Sequence, residues 1–317
     1  MTNRLILPRR GVSRRAALMG GSAGLMGLGL VACGGSSDGG SGDSDGGSAS
    51  DGGGSASGTI NMGYIPSWSD GLSMAYLLEN RLTAMGYTIE HTEIAEAGVL
   101  YQGLAQGDVD MYPSAWPEVT HKEYMDQHEG DIEDIGSYYE NAKLNLSVPD
   151  YMDISSIEDL VGQADRFDGQ IIGIEPGAGL TAATQDSVMP GYGLDSEYEL
   201  VLSSTTGMLT ELESAVNAEE DIVVTLWTPF WANTTYSVKA LEDPEGLFGE
   251  AEKLHFLGRT GFEEEFPEAA DFISQIKLTD EEYGNLEDKV VNEFGEGKEP
   301  EAVEAWLEEY PDLLPAV

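Results

Sequence analysis

The chain has 317 residues, and its 58 Asp and Glu against 15 Lys and Arg give a formal net charge of −43. So acidic a surface is a poor match for nucleic acid or anionic lipid, both of which would repel it. A single cysteine leaves neither a disulfide framework nor a cysteine metal site for the folded body. The acidic surplus reads as a solvated surface that resists aggregation and suits high salt, since no acidic cluster has calcium-loop or two-metal spacing.

Residues 1–33 read as an export signal. Arg9, Arg10, Arg14 and Arg15 form a basic start, followed by the apolar, Gly-rich stretch from Ala16 to Ala32. That stretch is shorter than the roughly 20 residues that span a bilayer. Ser13-Arg14-Arg15-Ala16-Ala17-Leu18 resembles a twin-arginine signal, and Leu30-Val31-Ala32-Cys33 resembles a lipobox. Together they predict export, cleavage before Cys33 and lipidation of that cysteine, which would anchor the protein to the outer face of the cytoplasmic membrane. Residues 34–58 contain only Gly, Ser, Asp and Ala; with no large apolar side chain to bury, they are expected to form a flexible tether.

From Thr59 the pattern predicts a strand at 60–65, a Pro66-Ser67-Trp68 loop, a helix over 72–85 stopped by Gly86, and a second strand at 87–94. A helix around 99–105, a Gly107-Asp108 turn and a strand at 109–115 ending at Trp116 follow. The series then recurs: strand 170–175, the loop Pro176-Gly177-Ala178-Gly179, helix 180–189, strand 198–203, helix 208–216, and strand 221–226 ending at Trp227. Strands alternating with helices build parallel sheets. Two such units in tandem predict an α/β protein of two lobes with a ligand cleft between them, because strand-end loops line the crevice of an open α/β sheet. The expected boundaries are 59–150 for the first part of lobe 1, 151–235 for lobe 2, and 236–317 for a return that completes lobe 1. In that return, 236–241 and 253–257 read as strands and the acidic end through Trp306 as helical.

Four of the five tryptophans fall on the strand-end loops: Trp68, Trp116, Trp227 and Trp231. Any one of them is equally well read as a plug for the core. Several converging on a cleft suit a permanently charged trimethylammonium group, which has no donor protons and is best held by the negative faces of aromatic rings. Gly177, Ala178, Gly179 and Leu180 offer backbone donors for an anion, since glycines allow close approach and a helix start presents free N–H groups. The loop lacks the Lys-Ser/Thr ending of a nucleotide P-loop and the Gly-x-Gly-x-x-Gly spacing. His121 has two readings from spacing alone, a surface histidine capping the helix that begins near Lys122 or a side-chain donor to the same anion.

At these loops the sequence resembles the glycine betaine/proline betaine-binding lipoproteins of ABC importers. The matching segments are Gly63-Tyr64-Ile65-Pro66-Ser67-Trp68-Ser69-Asp70, Ser114-Ala115-Trp116 with Thr120-His121, Gly173-Ile174-Glu175-Pro176-Gly177-Ala178-Gly179, Val224-Thr225-Leu226-Trp227 with Pro229 and Trp231, and Leu241-Glu242-Asp243-Pro244. The resemblance implies a type II periplasmic-binding-protein-like fold. It makes Trp68, Trp116 and Trp227 the walls of an aromatic cage, with the backbone N–H groups of Gly179 and Leu180 and the side chain of His121 as carboxylate donors. Trp231 keeps a packing role beneath its loop. One departure stands at Pro117-Glu118-Val119, where the family pattern has a Leu-Pro pair and a variable residue, a change that bears on how the loop carries His121.

The implied partners are glycine betaine or a related quaternary-ammonium solute and the permease subunits of an ABC importer. The receptor is expected to work as a monomer with no cofactor and no metal. Choline, carnitine and proline betaine remain alternatives, because three aromatic walls do not separate them. A secreted hydrolase is the competing class; a lone His121, no Gly-x-Ser-x-Gly elbow and no His-Glu-x-x-His helix leave it without a catalytic set.

Overall fold

A computed structural model describes residues 57–317; the export signal, Cys33 and nearly all of the expected tether lie outside the described residues. The chain begins with strand β1 (Thr59–Tyr64), helix α1 (Ser69–Met85), β2 (Thr88–Glu93), α2 (Ala97–Gln106) and β3 (Met111–Ala115). β1 runs parallel to both β2 and β3. α1 ends where Gly86 adopts the left-handed conformation, φ 110°, which an L side chain would resist and glycine does not. Its Met74, Leu77, Leu78 and Leu82 are fully buried, so the apolar stripe read from the sequence is the face laid on the sheet.

A short helix α3 (Lys122–Gln127) then leads to β4, an 18-residue strand (Ile132–Pro149) that the sequence reading did not anticipate. β4 holds the molecule together. Its first part pairs antiparallel with β9 (Glu252–Arg259), which also pairs with β3 in the first half of the sheet. Its last part pairs with β7 (Val224–Thr228) and β8 (Val238–Ala240) in the second half. The nine strands therefore run β2-β1-β3-β9-β4-β7-β5-β6, with β8 beside β4.

The second half contains β5 (Gln170–Ile172), α4 (Gly179–Ala183), a π turn over Thr184–Val188, α5 (Met189–Tyr192), β6 (Glu199–Val201) and α6 (Thr205–Ala218). β5 is parallel to β6 and β7. The helix expected over 180–189 is present as α4, the π turn and the start of α5. After β7 come α7 (Ala232–Thr235) and β8; the chain re-enters the first half with β9. It closes with α8 (Phe262–Glu265), α9 (Pro267–Ser274), α10 (Asp280–Asp288) and α11 (Glu299–Glu309). α10 and α11 pack on α1, and the fully buried Trp306 there donates its indole N–H to the Glu282 carbonyl at 2.9 Å. Among the described residues no helix is long and apolar enough to cross a membrane.

Self-repulsion of a chain of net charge −43 opposes compaction, and salt screens it. The thermal midpoint, followed by circular dichroism, is expected to rise by at least about 5 °C between about 0.1 M and about 2 M NaCl. A midpoint that stays level or falls would show that surface repulsion does not limit stability.

Candidate ligand-binding site

The strand ends of the two halves face each other across one cavity. Trp68 directly precedes α1 after β1, and Trp116 follows β3. Both are nearly buried and both line the cavity. The Trp116 indole N–H donates to Asp70 Oδ2 at 3.0 Å, and Ser114 Oγ donates to the same oxygen at 2.7 Å. Burial pushes the Asp70 carboxyl above its ordinary range despite these donors.

From the second half comes Trp227, which lies within β7 rather than on the loop after it. It stands opposite Leu144 of β4, and both line the cavity. Phe230 stacks on Trp227 at 4.0 Å between ring centres, 23° from parallel, so the loop braces one face of the indole. Ile174, Ala178, Gly179 and Leu180 complete this side. Gly179 and Leu180 open α4, where first-turn N–H groups have no acceptor within the helix. None of the residues lining the cavity is Lys or Arg.

His121 is 2 % exposed, so the surface-cap reading fails. It occupies the N-cap position of α3 but makes no side-chain cap bond. Its ring stacks on Trp68 at 5.8 Å and 11°, and its Nδ1 lies 3.2 Å from the Tyr101 hydroxyl. Burial pushes the His121 pKa down to about 3 and that of Tyr101 well above the usual phenol range. At neutral pH the imidazole is therefore uncharged and the phenol keeps its proton. In the tautomer where the phenol donates to Nδ1, the ring proton sits on Nε2 and is available at the cavity wall.

The departure at Pro117-Glu118-Val119 is accommodated by acids on the neighbouring strands. Glu252, at the start of β9 and 3 % exposed, accepts the backbone N–H groups of Glu118, Val119 and Thr120 at 3.2, 3.0 and 3.0 Å and the Thr120 hydroxyl as well. Outside it, the buried His255 ring sits between Asp134, with Nδ1 at 2.9 Å, and Glu118, with Nε2 at 3.3 Å. The loop that carries Trp116, Thr120 and His121 is thus tied down from both sides.

All six residues expected from the sequence, Trp68, Trp116, His121, Gly179, Leu180 and Trp227, line this one cavity. Trp231 does not; it packs against Phe230 and Tyr236. Asp70, Tyr101 and Glu252 were not singled out. Asp70 closes the segment 63–70, but nothing in the sequence marks one buried carboxylate among 58 acids. The two halves touch across the cleft. The Tyr124 hydroxyl donates to the Gly177 carbonyl at 2.8 Å, and a Cβ on Gly179 would lie 2.2 Å from the Thr120 carbonyl oxygen. Glycine at 179 is required by the opposing backbone.

Residues 58–309 match the family model described as the substrate binding domain of ABC-type glycine betaine transport system. A glycine betaine/carnitine transport binding protein of Listeria monocytogenes is 35% identical over 151 residues, 47% of this chain and 49% of that protein, so the chain spans about half the length of that curated relative. Among solved structures, the glycine betaine/L-proline-binding protein ProX of Borrelia burgdorferi is 32% identical with a TM-score of 0.74, over 81% of this chain and 97% of its own. Lactococcal OpuAC in its closed form with glycine betaine is 28% identical with a TM-score of 0.73, over 80% of this chain and 96% of its own. These are two-lobed type II periplasmic binding proteins, which bind solutes and catalyse no reaction.

Burial lowers the His255 pKa, but the hydrogen bonds and charges of Asp134 and Glu118 outweigh it and leave the pKa raised. A raised folded-state pKa stabilises fully below the unfolded value and is lost as pH rises through the folded one. The gap in thermal midpoint between the parent chain and His255→Gln is therefore expected to be widest near about pH 6 and to narrow toward about pH 9. A gap that widens with pH would mean that the ring is neutral between its two carboxylates.

Proposed function

The chain belongs to the family of substrate-binding domains of ABC-type glycine betaine transport systems, and from that premise we propose that it is an exported receptor delivering glycine betaine, or a related betaine, to an ABC importer. The observation that carries the solute assignment is the joint placement of Trp68, Trp116 and Trp227 with the Asp70 carboxylate around a cavity lined by no Lys or Arg. A trimethylammonium group cannot donate hydrogen bonds; it is held by the negative faces of three rings, at about 1–2 kcal/mol each when desolvated. Behind them the Asp70 carboxyl fixes the Trp116 indole by its N–H edge. The solute's carboxylate takes the free N–H groups of Gly179 and Leu180 and the Nε2 proton of a neutral His121, a set that meets an anion without a competing cation. The names of the Listeria relative and of the lactococcal complex, glycine betaine with or without carnitine, support the same solute class.

Solute bound between the lobes makes contacts with both only when they are together, so it favours the closed arrangement by its differential affinity. The closed form is the one offered to the permease. On the lipobox motif, Cys33 would carry the lipid that keeps a monomeric receptor at the outer face of the cytoplasmic membrane, with 34–58 as the expected tether.

Titration calorimetry against glycine betaine, proline betaine, carnitine and choline tests the reading. Glycine betaine is expected to bind, and Trp116→Ala to weaken it by well over tenfold, since a buried aromatic wall contributes more than about 1.4 kcal/mol. Choline binding more tightly than glycine betaine would remove Gly179, Leu180 and His121 from their carboxylate role, and no binding to any of the four would overturn the receptor. Gly179→Ala, which sets a Cβ into the Thr120 carbonyl, is expected to cost at least about tenfold in affinity at an unchanged thermal midpoint. Parental affinity in that variant would mean that closure tolerates a wider cleft.

A further inference from the structure

Glu175 lies just beyond β5, outside the cavity lining, and takes part in none of the solute contacts above. Its carboxylate nevertheless accepts four hydrogen bonds, two from each lobe. Oε1 receives the Thr205 backbone N–H at 2.8 Å and Ser67 Oγ at 3.3 Å. Oε2 receives Thr205 Oγ1 at 2.9 Å and the Trp68 indole N–H at 3.4 Å. Each oxygen therefore holds one donor from each side of the cleft.

The two sets of bonds differ in kind. Thr205 is fully buried and begins α6, whose Ser204 cap already accepts from the Gly207 N–H at 3.0 Å. The Thr205 N–H is one of the first-turn donors that a helix cannot satisfy internally, and an anion at that end also meets the helix dipole favourably. Glu175 is thus held within the second lobe whether or not the cleft is shut. Ser67 and Trp68 belong to the first lobe and reach it only across the closed cleft, at longer distances. Ion pairs do not compete for it among the described residues: no Lys, Arg or His lies within salt-bridge range of this carboxylate.

We propose that Glu175 is a positioning residue that latches the closed cleft, tying the start of α6 to Ser67 and to the indole N–H of the cage wall Trp68. The inference rests on the receptor reading above and assigns to it the group that couples solute capture to closure. Trp68 is fixed in two directions: His121 covers its face, and Glu175 holds its N–H edge. A ring so oriented presents its free face to the cavity only while the lobes are together. Solute that needs that face and a latch that needs that edge therefore favour the same state, and the latch acts on release rather than on encounter.

The test is the rate of glycine betaine release from the full chain carrying Glu175→Gln, Ser67→Ala or both. Glutamine keeps the shape but turns an amide N–H₂ toward donors; alanine removes the Ser67 hydroxyl donor and leaves the cage walls intact. Release is expected to quicken by about tenfold or more in Glu175→Gln and by about threefold in Ser67→Ala, with capture changed by less than about twofold. The double variant should fall well short of the product of the two, because both changes cut the same bond. Release at the parental rate in Glu175→Gln, or effects that simply multiply, would overturn the latch, as would slower capture with a lowered thermal midpoint. If the parent chain binds no quaternary-ammonium solute, it is the receptor reading that has failed. The latch is then read without solute, from spin labels at Val99→Cys and Leu202→Cys on the exposed rims of the two lobes: a separation that widens in Glu175→Gln supports it, and one that does not move removes it.

Discussion

Three backbone N–H groups and one hydroxyl converge on the carboxylate of Glu252, and the rest of the site depends on that convergence. The segment between β3 and α3 has to turn sharply, present Trp116 and His121 to the cavity, and leave the Thr120 carbonyl where Gly179 of the other lobe can pass. Although Glu118 and Val119 are exposed, the segment's backbone donors have no strand or helix to satisfy them, and each costs roughly 1–3 kcal/mol if left unpaired away from water. Glu252 answers several at once from the rigid start of β9. Burial raises its pKa, opposed by the hydrogen bonds from Thr120 and the loop; those bonds are the compensation a buried carboxylate requires. The neutral state of His121, its contact with Tyr101 and the close passage of Gly179 all follow from where this loop is held.

Acidic residues consequently serve two opposite ends. Among the described residues, most acids lie where water and salt can solvate them. A few are inside: Asp70 beneath Trp116, Glu252 under the loop, and Glu287 on α10, which accepts from Ser69 Oγ at 2.7 Å. Burial pushes the Glu287 carboxyl well above the usual carboxylate range, and the neighbouring charge of Asp70 adds to this. Ser69 links the two, since it directly precedes Asp70 and its hydroxyl donates to Glu287, and the closeness of a second acid favours the protonated form of Glu287.

The sequence made much of this legible, and its silences have physical causes. Strands followed by aromatic or Gly-rich loops are local signals, and Trp68, Trp116 and 176–180 stand at the strand ends where the alternation put them. β4 was invisible because its pattern is mixed: polar Glu140, Asn141 and Lys143 interrupt it, and its pairing shifts register around Gly136 and Tyr139. A strand that serves two sheet halves changes the side it buries partway along, so no single period describes it. Glu175, Glu252 and Asp70 went unmarked for a different reason. Their roles are set by partners at large sequence separation, 134 residues between Glu252 and Glu118, and composition offers no means of choosing them. His121 lay between these cases, since spacing fixed its place before α3 but not its depth.

The distribution of indoles has one more consequence. Four of the five tryptophans are at or beside the cleft, while Trp306 is sealed in the core between α10 and α11. The intrinsic emission of the protein is therefore weighted toward the very rings that solute would cover, over a constant background from Trp306. Trp68 beside a carboxylate and Trp227 under Phe230 occupy unlike surroundings, so they should differ in colour and in quenching. The fold thus supplies an optical gauge of its own occupancy, with no dye to attach and no surface to disturb.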